Sequence, residues 1–101
     1  MEMVNRFSVY QLSDAGQKKP CVVISPDELN TVLPHVMIAP IVLSSVQVPF
    51  RVLIDIFGKE GQIALDKIRT VSKEKLGQKI GQLPEESYQE ILKTLQKMFE
   101  L

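Results

Sequence analysis

The sequence predicts a mainly β domain, a compact barrel or sandwich followed by one C-terminal helix. Before Pro84, short apolar segments of about four to eight residues recur between turn signals, as strands do in such folds. After Pro84, apolar residues recur every three or four positions, which is typical of an amphipathic helix. Since no repeat or low-complexity linker interrupts this pattern, we predict a single domain over residues 1–101.

The composition limits the class of protein. The chain has 101 residues, 45% of them hydrophobic, and a formal net charge of zero. Zero net charge argues against a purely electrostatic binder of nucleic acid or membranes, although Lys18 and Lys19 form a local basic pair or a solvated turn. No apolar run approaches the roughly 20 residues of a membrane span. We expect a soluble, cytoplasmic protein, and because a chain of this size has a modest core, a dimer would cover more apolar area.

Cysteine and histidine give little scope for metal or thiol chemistry. Cys21 is the single cysteine, which excludes an internal disulfide, and it opens a buried run as an inert core thiol would. One cysteine and one histidine cannot form the usual zinc site, so we expect no metal and no cofactor. His35 enters a strand and is interpreted as a solvated turn residue, with a catalytic role as the alternative.

The first half of the chain alternates strands and turns. Residues 7–12 form a mixed strand, and residues 13–16, which include Asp and Gly, form a turn. Residues 21–24 are apolar and rich in β-branched side chains, which predicts a strand buried on both faces. Ser25 is a helix cap before Pro26 at the first helical position, so a short helical turn follows.

The next segments continue the β pattern. An apolar strand over residues 36–43 contains Pro40, which indicates an edge strand or a bulge. Residues 44–47 form a polar loop, and residues 50–56 alternate with their apolar side chains on one face. A turn over residues 57–61 then leads the chain back.

The C-terminal segment is helical. Pro84 begins it, and Glu85 and Glu86 place negative charge at the positive end of the helix. Its apolar side chains form one stripe, which consists of Tyr88, Ile91, Leu92, Leu95, Met98 and Phe99. We expect this stripe to pack against the sheet, with a partner protein as the alternative.

Charged residues follow an apolar run in residues 61–70. If the strand continues, Asp66 and Ile68 share one side while Lys67 and Arg69 share the other. At the end of the strand this alternation loosens, so acid and base can both gather at a pocket rim, or an Asp–Arg pair fixes a turn. Similarly, Ser44 lies two residues after Val42, so that its hydroxyl could reach a site that Val42 lines.

Four segments together resemble the MazF/PemK family of toxin ribonucleases. They are residues 19–25 (KPCVVIS), 37–41 (MIAPI), 49–52 (PFRV), and 61–71 with the Lys-Leu-Gly of 75–77 and the closing helix. The resemblance implies a dimeric, SH3-like β-barrel with a C-terminal helix, which pairs with a cognate antitoxin. It also implies cleavage of single-stranded RNA without metal, by attack of the ribose 2′-hydroxyl on the adjacent phosphate.

The resemblance also suggests site residues. The family's arginine before proline falls on Lys19, and its catalytic threonine falls on Val42, so that Ser44 supplies the nearest hydroxyl. The resemblance therefore implies phosphate binding by Lys19, and proton handling or orientation by Ser44 and Asp66. The predicted RNA-binding side chains are Lys18, Lys19, Arg69 and Thr70.

Two alternatives stay open. The turn between the first two strands is short, where the family carries a longer polar stretch, and Phe7-Ser8-Val9-Tyr10 is similar to the opening of CcdB-like toxins. Those toxins have the same barrel and inhibit DNA gyrase. The other alternative is a barrel that has lost its activity and retains only antitoxin binding.

Overall fold

The computed structural model describes residues 3–100 and shows one curled antiparallel sheet with a helix at its C-terminal end. The elements are β1 (Ser8–Asp14), β2 (Gln17–Val23), α1 (Asp27–Val32), β3 (His35–Val42), β4 (Arg51–Ile56), β5 (Lys59–Ala64), β6 (Arg69–Ser72), β7 (Leu76–Gln82) and α2 (Glu85–Met98). The strand order is β4-β5-β3-β2-β1-β7, and β6 also pairs with β3. The predicted β-barrel with a C-terminal helix is confirmed.

A two-residue turn joins β1 to β2. Ala15 and Gly16 have φ angles of 50° and 80°, the left-handed conformation that such tight hairpins need. Asp14 pairs directly with Gln17, so the turn is shorter than the predicted four residues and both strands are longer. Beyond it, the side chains of residues 21–23 are fully buried, which confirms the prediction of a strand buried on both faces.

Helix α1 begins one residue later than predicted. Its N-cap is Pro26, and Ser25 lies outside the helix. The Ser25 hydroxyl instead donates to Asn30 Oδ1 at 2.5 Å and accepts from the Met37 N–H at 3.1 Å. The prediction of Ser25 as the cap was wrong because this hydroxyl connects the helix to β3.

Strand β3 is central rather than an edge. The Met37 carbonyl accepts from Ile24 N–H at 2.8 Å, so Met37 directs its backbone groups toward the β2 side. Successive residues of a strand direct theirs to opposite sides, so the nitrogen of Pro40 faces away from β2. It faces the gap between β6, last paired at Ile38, and β5, first paired at Ile41. Pro40 is tolerated because its nitrogen, which cannot donate, does not face β2; we call this junction, where β3 changes partner from β6 to β5, the fork.

The chain turns where the sequence predicted a continuing strand. Strand β5 ends at Ala64, residues Leu65–Lys67 form a 3-10 turn, and β6 begins at Arg69. The expected alternation of Asp66 and Ile68 against Lys67 and Arg69 was therefore wrong. The physical reason is that β5 and β6 both pair with β3, at different positions along it.

Two apolar clusters form the core, one on each face of the curled sheet. Helix α2 covers the larger one, with Ile91 fully buried and the Phe7 and Tyr88 rings stacked at 4.4 Å between centroids. Most of the stripe of α2 thus packs against the sheet, as predicted, but Leu92 is 39% exposed, and Phe99 follows the helix and is 76% exposed. Within residues 3–100, no helix is long and apolar enough to cross a membrane.

Candidate functional site

One face of the sheet carries residues from several of the predicted motifs. Along β2 the side chains of Lys19, Cys21 and Val23 lie on the same face, since strand residues alternate. Val23 pairs with Ile38 of β3, and Ile38 pairs with Arg69 of β6. Cross-strand partners share a face, so Lys19 and Arg69 lie on the same side. We call this side the Lys19 face.

Lys19 and Val42, which the resemblance aligns with the family's arginine and threonine, lie at the same end of the β2–β3 ladder. The last pair of β2 with β3 is Cys21 with Pro40. Lys19 lies two residues before Cys21, and Val42 lies two residues after Pro40, so both are on the Lys19 face. Val42 pairs in turn with Gln62 of β5, which extends this face across the sheet.

Charge on the Lys19 face is partly neutralised. Arg69 Nη2 lies 3.0 Å from Asp14 Oδ2, and both side chains are about half exposed. The side chain of Lys19 is exposed and makes no hydrogen bond or ion pair with any residue that the structure describes. It is therefore available to an external anion.

The other two predicted RNA-binding residues belong to the opposite face. Lys18 is adjacent to Lys19 on β2 and therefore points the other way. Thr70 pairs with Met37, one residue before Ile38, and so lies on the side opposite to Arg69. The predicted RNA-binding set thus divides into two pairs, with Lys19 and Arg69 on one face and Lys18 and Thr70 on the other.

A polar network connects Asp66 to the loop of residues 43–50. Arg51 donates from Nε to Asp66 Oδ1 at 3.0 Å and from Nη2 to Oδ2 at 3.2 Å. Arg51 Nη1 donates to Gln62 Oε1 at 3.1 Å. The Gln62 amide nitrogen donates to the carbonyls of Ser44 at 3.0 Å and Val46 at 2.8 Å. One chain of hydrogen bonds therefore runs from the carboxylate to the loop.

The guanidinium of Arg51 sets the charge of Asp66. Its hydrogen bonds stabilise the carboxylate and hold the pKa of Asp66 below its ordinary value, although partial desolvation acts in the opposite direction. Asp66 is thus ionised at neutral pH and is a weak base, which suits it to orient Arg51. The expected Asp–Arg pair within residues 61–70 is not formed, because Asp66 pairs with Arg51 and Arg69 with Asp14.

Ser44 lies in the loop, just beyond the end of β3. Its hydroxyl accepts from the Val46 N–H at 3.1 Å, and its carbonyl accepts from Gln62. Among the described residues, no hydrogen bond or ion pair joins Lys19, Ser44 and Asp66 to one another. Lys19 and the polar network occupy neighbouring parts of the sheet, with Val42 between Lys19 and Gln62.

Sequence reasoning missed Gln62, because only the pairing of β3 with β5 places it beside Val42. Two other candidates from the sequence, His35 and Cys21, take no part in this polar network. His35 is exposed at the start of β3, and burial raises the pKa of the Cys21 thiol to about 12, so that it is inert at neutral pH. Within residues 3–100, no group of three or more metal-binding side chains could hold a metal ion.

Solved structures share this fold at low sequence identity. An endoribonuclease in complex with its cognate antitoxin, from a mycobacterial species, has a TM-score of 0.83 and 21% identity, over 96% of this chain and 93% of that one. The Mycobacterium tuberculosis toxin MazF-mt6 has a TM-score of 0.82 and 18% identity, over 93% and 97%. A MazE–MazF structure from Deinococcus radiodurans has a TM-score of 0.86 and 18% identity, over 100% and 99%.

A family comparison covers nearly the whole chain. No curated protein sequence matches it significantly. The sequence profile described as PemK-like, MazF-like toxin of type II toxin-antitoxin system matches residues 6–99, which include every element of the sheet and α2. The chain therefore belongs to the family of PemK-like, MazF-like toxins of type II toxin–antitoxin systems.

Proposed function

We propose that this toxin is an endoribonuclease that cleaves single-stranded RNA without a metal ion. The observation that carries the proposal is the exposed, unpaired ammonium of Lys19, on the sheet face to which Arg69 also belongs. A cation without an acidic partner binds a phosphate without first breaking an ion pair. The match of the toxin family over residues 6–99 supports the same activity.

The proposed reaction is attack of a ribose 2′-hydroxyl on the adjacent phosphate, with expulsion of the 5′-oxygen of the next nucleotide. It requires an acceptor for the 2′-hydroxyl proton, a donor for the leaving oxygen and positive charge beside the phosphate. We assign phosphate binding to Lys19, with Arg69 adding charge on the same face. Lys18 and Thr70 are proposed to contact the RNA from the opposite face of the sheet.

Ser44 and Asp66 are assigned to proton handling or orientation. Ser44 supplies the hydroxyl that Val42 lacks, and its position in the loop is fixed through Gln62. The lowered pKa of Asp66 favours orientation, since an ionised carboxylate holding both arms of a guanidinium is a poor proton donor. Asp66 would thus keep Arg51 directed into the groove that Arg51 lines with Gln62 and the loop.

The test is incubation of the purified protein with a long single-stranded RNA in the presence of a chelator. Fragments that end in a 2′,3′-cyclic phosphate are expected, and Lys19→Ala should abolish both cleavage and growth arrest. Lys93→Ala, which removes the same charge from the exposed side of α2, is the matched control. Intact RNA would refute the proposal.

A parallel reaction with gyrase and supercoiled DNA distinguishes the alternatives. The matching family profile is that of PemK-like, MazF-like toxins, so the CcdB-like alternative gains no support from it. Gyrase-dependent DNA breaks would nevertheless select a gyrase inhibitor. If neither RNA fragments nor DNA breaks form, the protein is a barrel that only binds its antitoxin.

We further propose that the physiological partner is a cognate antitoxin protein. Two of the structurally similar proteins are an endoribonuclease with its cognate antitoxin and a MazE–MazF structure. Coexpression of this chain with the product of a neighbouring short reading frame should give a stable complex and relieve growth arrest. Failure of every adjacent product to bind would count against this partner.

We also propose a homodimer. Several large apolar side chains are exposed, among them Val32 at 72%, Leu53 at 67% and Phe57 at 75%. Association of two copies would remove part of this apolar surface from water. Light scattering on the purified chain should give twice the monomer mass of 11.4 kDa, and a monomer at all concentrations would refute the proposal.

A further inference from the structure

The loop of residues 43–50 is exposed and weakly attached. It belongs to no strand, and its apolar residues Leu43 and Val46 are 59% and 66% exposed. In the part of the chain that the structure describes, the hydrogen bonds that join this loop to the sheet are the two from the amide nitrogen of Gln62. One side chain of β5 therefore anchors the loop.

The orientation of the Gln62 amide is determined by its neighbours. The side chain is 2% exposed, and its oxygen accepts from Arg51 Nη1 at 3.1 Å. Asp66 holds that guanidinium through its other two nitrogens. A rotated amide would place its NH2 group against the guanidinium and its single oxygen against the two loop carbonyl oxygens, so only one orientation satisfies the hydrogen bonds.

We propose that Gln62 is a positioning residue that fixes the loop against the Lys19 face and so sets the groove for the RNA strand. The loop forms one wall of this groove through Gln47, Val48 and Pro49, and the sheet forms the other. The loop also carries Ser44. The RNA part of this inference rests on the proposed function, whereas the anchoring of the loop does not.

Two substitutions at one site separate the loss of hydrogen bonds from the loss of packing. Gln62→Met keeps a side chain of similar length in the buried position and removes all three hydrogen bonds. Gln62→Glu keeps an oxygen toward Arg51 and replaces the amide nitrogen, which donates to the two loop carbonyls, with a second oxygen. Gln78 is exposed on β7 and makes no side-chain hydrogen bond among the described residues, so Gln78→Met and Gln78→Glu are the matched controls.

The first readout is chymotrypsin cleavage of the folded protein, followed by mass spectrometry. Loss of two hydrogen bonds should raise the rate of cleavage after Leu43 and Phe50 by about tenfold. Cleavage after Phe57, in the β4–β5 hairpin and 75% exposed, is the internal reference and should not change. The second readout is RNA cleavage, where KM should rise by about tenfold and kcat should fall as well, because the freed loop carries Ser44.

The outcomes decide the proposal in either direction. Unchanged cleavage after Leu43 and Phe50 in folded Gln62→Met would overturn it, as would an equal effect in the Gln78 controls. If the loop is freed in Gln62→Met but KM for RNA is unchanged, the proposal that the loop positions RNA is overturned. A wild-type protein that cleaves no RNA would refute the proposed function, while the chymotrypsin pattern would still decide whether Gln62 anchors the loop.

Discussion

Removal of the Lys19 ammonium should weaken RNA binding by an amount that the structure allows us to estimate. The side chain is exposed and has no partner among the described residues, so Lys19→Ala should change the free energy of unfolding by less than about 0.5 kcal/mol. Each phosphate contact with a single strand contributes about 0.7 to the slope of log affinity against log salt. Loss of one contact therefore predicts binding about fivefold weaker at about 0.1 M salt.

The assay is fluorescence anisotropy of a labelled single strand in which every 2′-hydroxyl is methylated, so that cleavage cannot occur. Titrations at several salt concentrations give the slope for the wild type, for Lys19→Ala and for Lys93→Ala. Both variants have the same net charge, so that only a local contact distinguishes them. The reasoning is refuted if Lys19→Ala and Lys93→Ala show the same affinity and the same slope.

Three further predictions test the fold and the network. Ile91→Ala should lower the free energy of unfolding in urea by about 2–5 kcal/mol, because Ile91 is fully buried between α2 and the sheet. Leu92→Ala, at a 39% exposed position of the same helix, should lower it by less than about 1 kcal/mol, and equal losses would contradict the packing. The folded-state pKa of Asp66 lies below its ordinary value of 3.8, so its ion pair stabilises the protein above that pH and is lost on acidification. The Tm of Asp66→Asn should therefore fall less than the Tm of the wild type between about pH 6 and about pH 3. Parallel curves of Tm against pH would count against the Arg51 contact. Cys21 should resist iodoacetamide at neutral pH until the protein is unfolded in urea, since its thiol is buried and its pKa is raised to about 12; rapid labelling of the native protein would show that the strand opens.

Local features were predicted well because the residues that determine them are neighbours in sequence. The stripe of α2 and the buried run of β2 follow from periodicity and residue type alone. The hairpin turn at Gly16 follows from a residue that readily adopts a positive φ. None of these inferences requires knowledge of which strands are paired.

The errors concern contacts between segments distant in sequence. Asp66 was considered with Arg69 because they are three positions apart, but the fold brings Arg51 to Asp66 and Asp14 to Arg69. Strand pairing decides both contacts, and a single sequence does not specify it. Gln62 was missed for the same reason, since its hydrogen-bond partners belong to β4 and to the loop of residues 43–50 that precedes it.

Pro40 lies at the fork in the sheet. Strand β3 changes partner there, from β6 to β5, and its backbone nitrogen faces the gap between them. Any other amino acid would add an N–H group directed away from β2, into the junction between β5 and β6. The imino acid adds no donor at this branch point, and the branching allows one strand to support both the Arg69 ion pair and the Gln62 anchor.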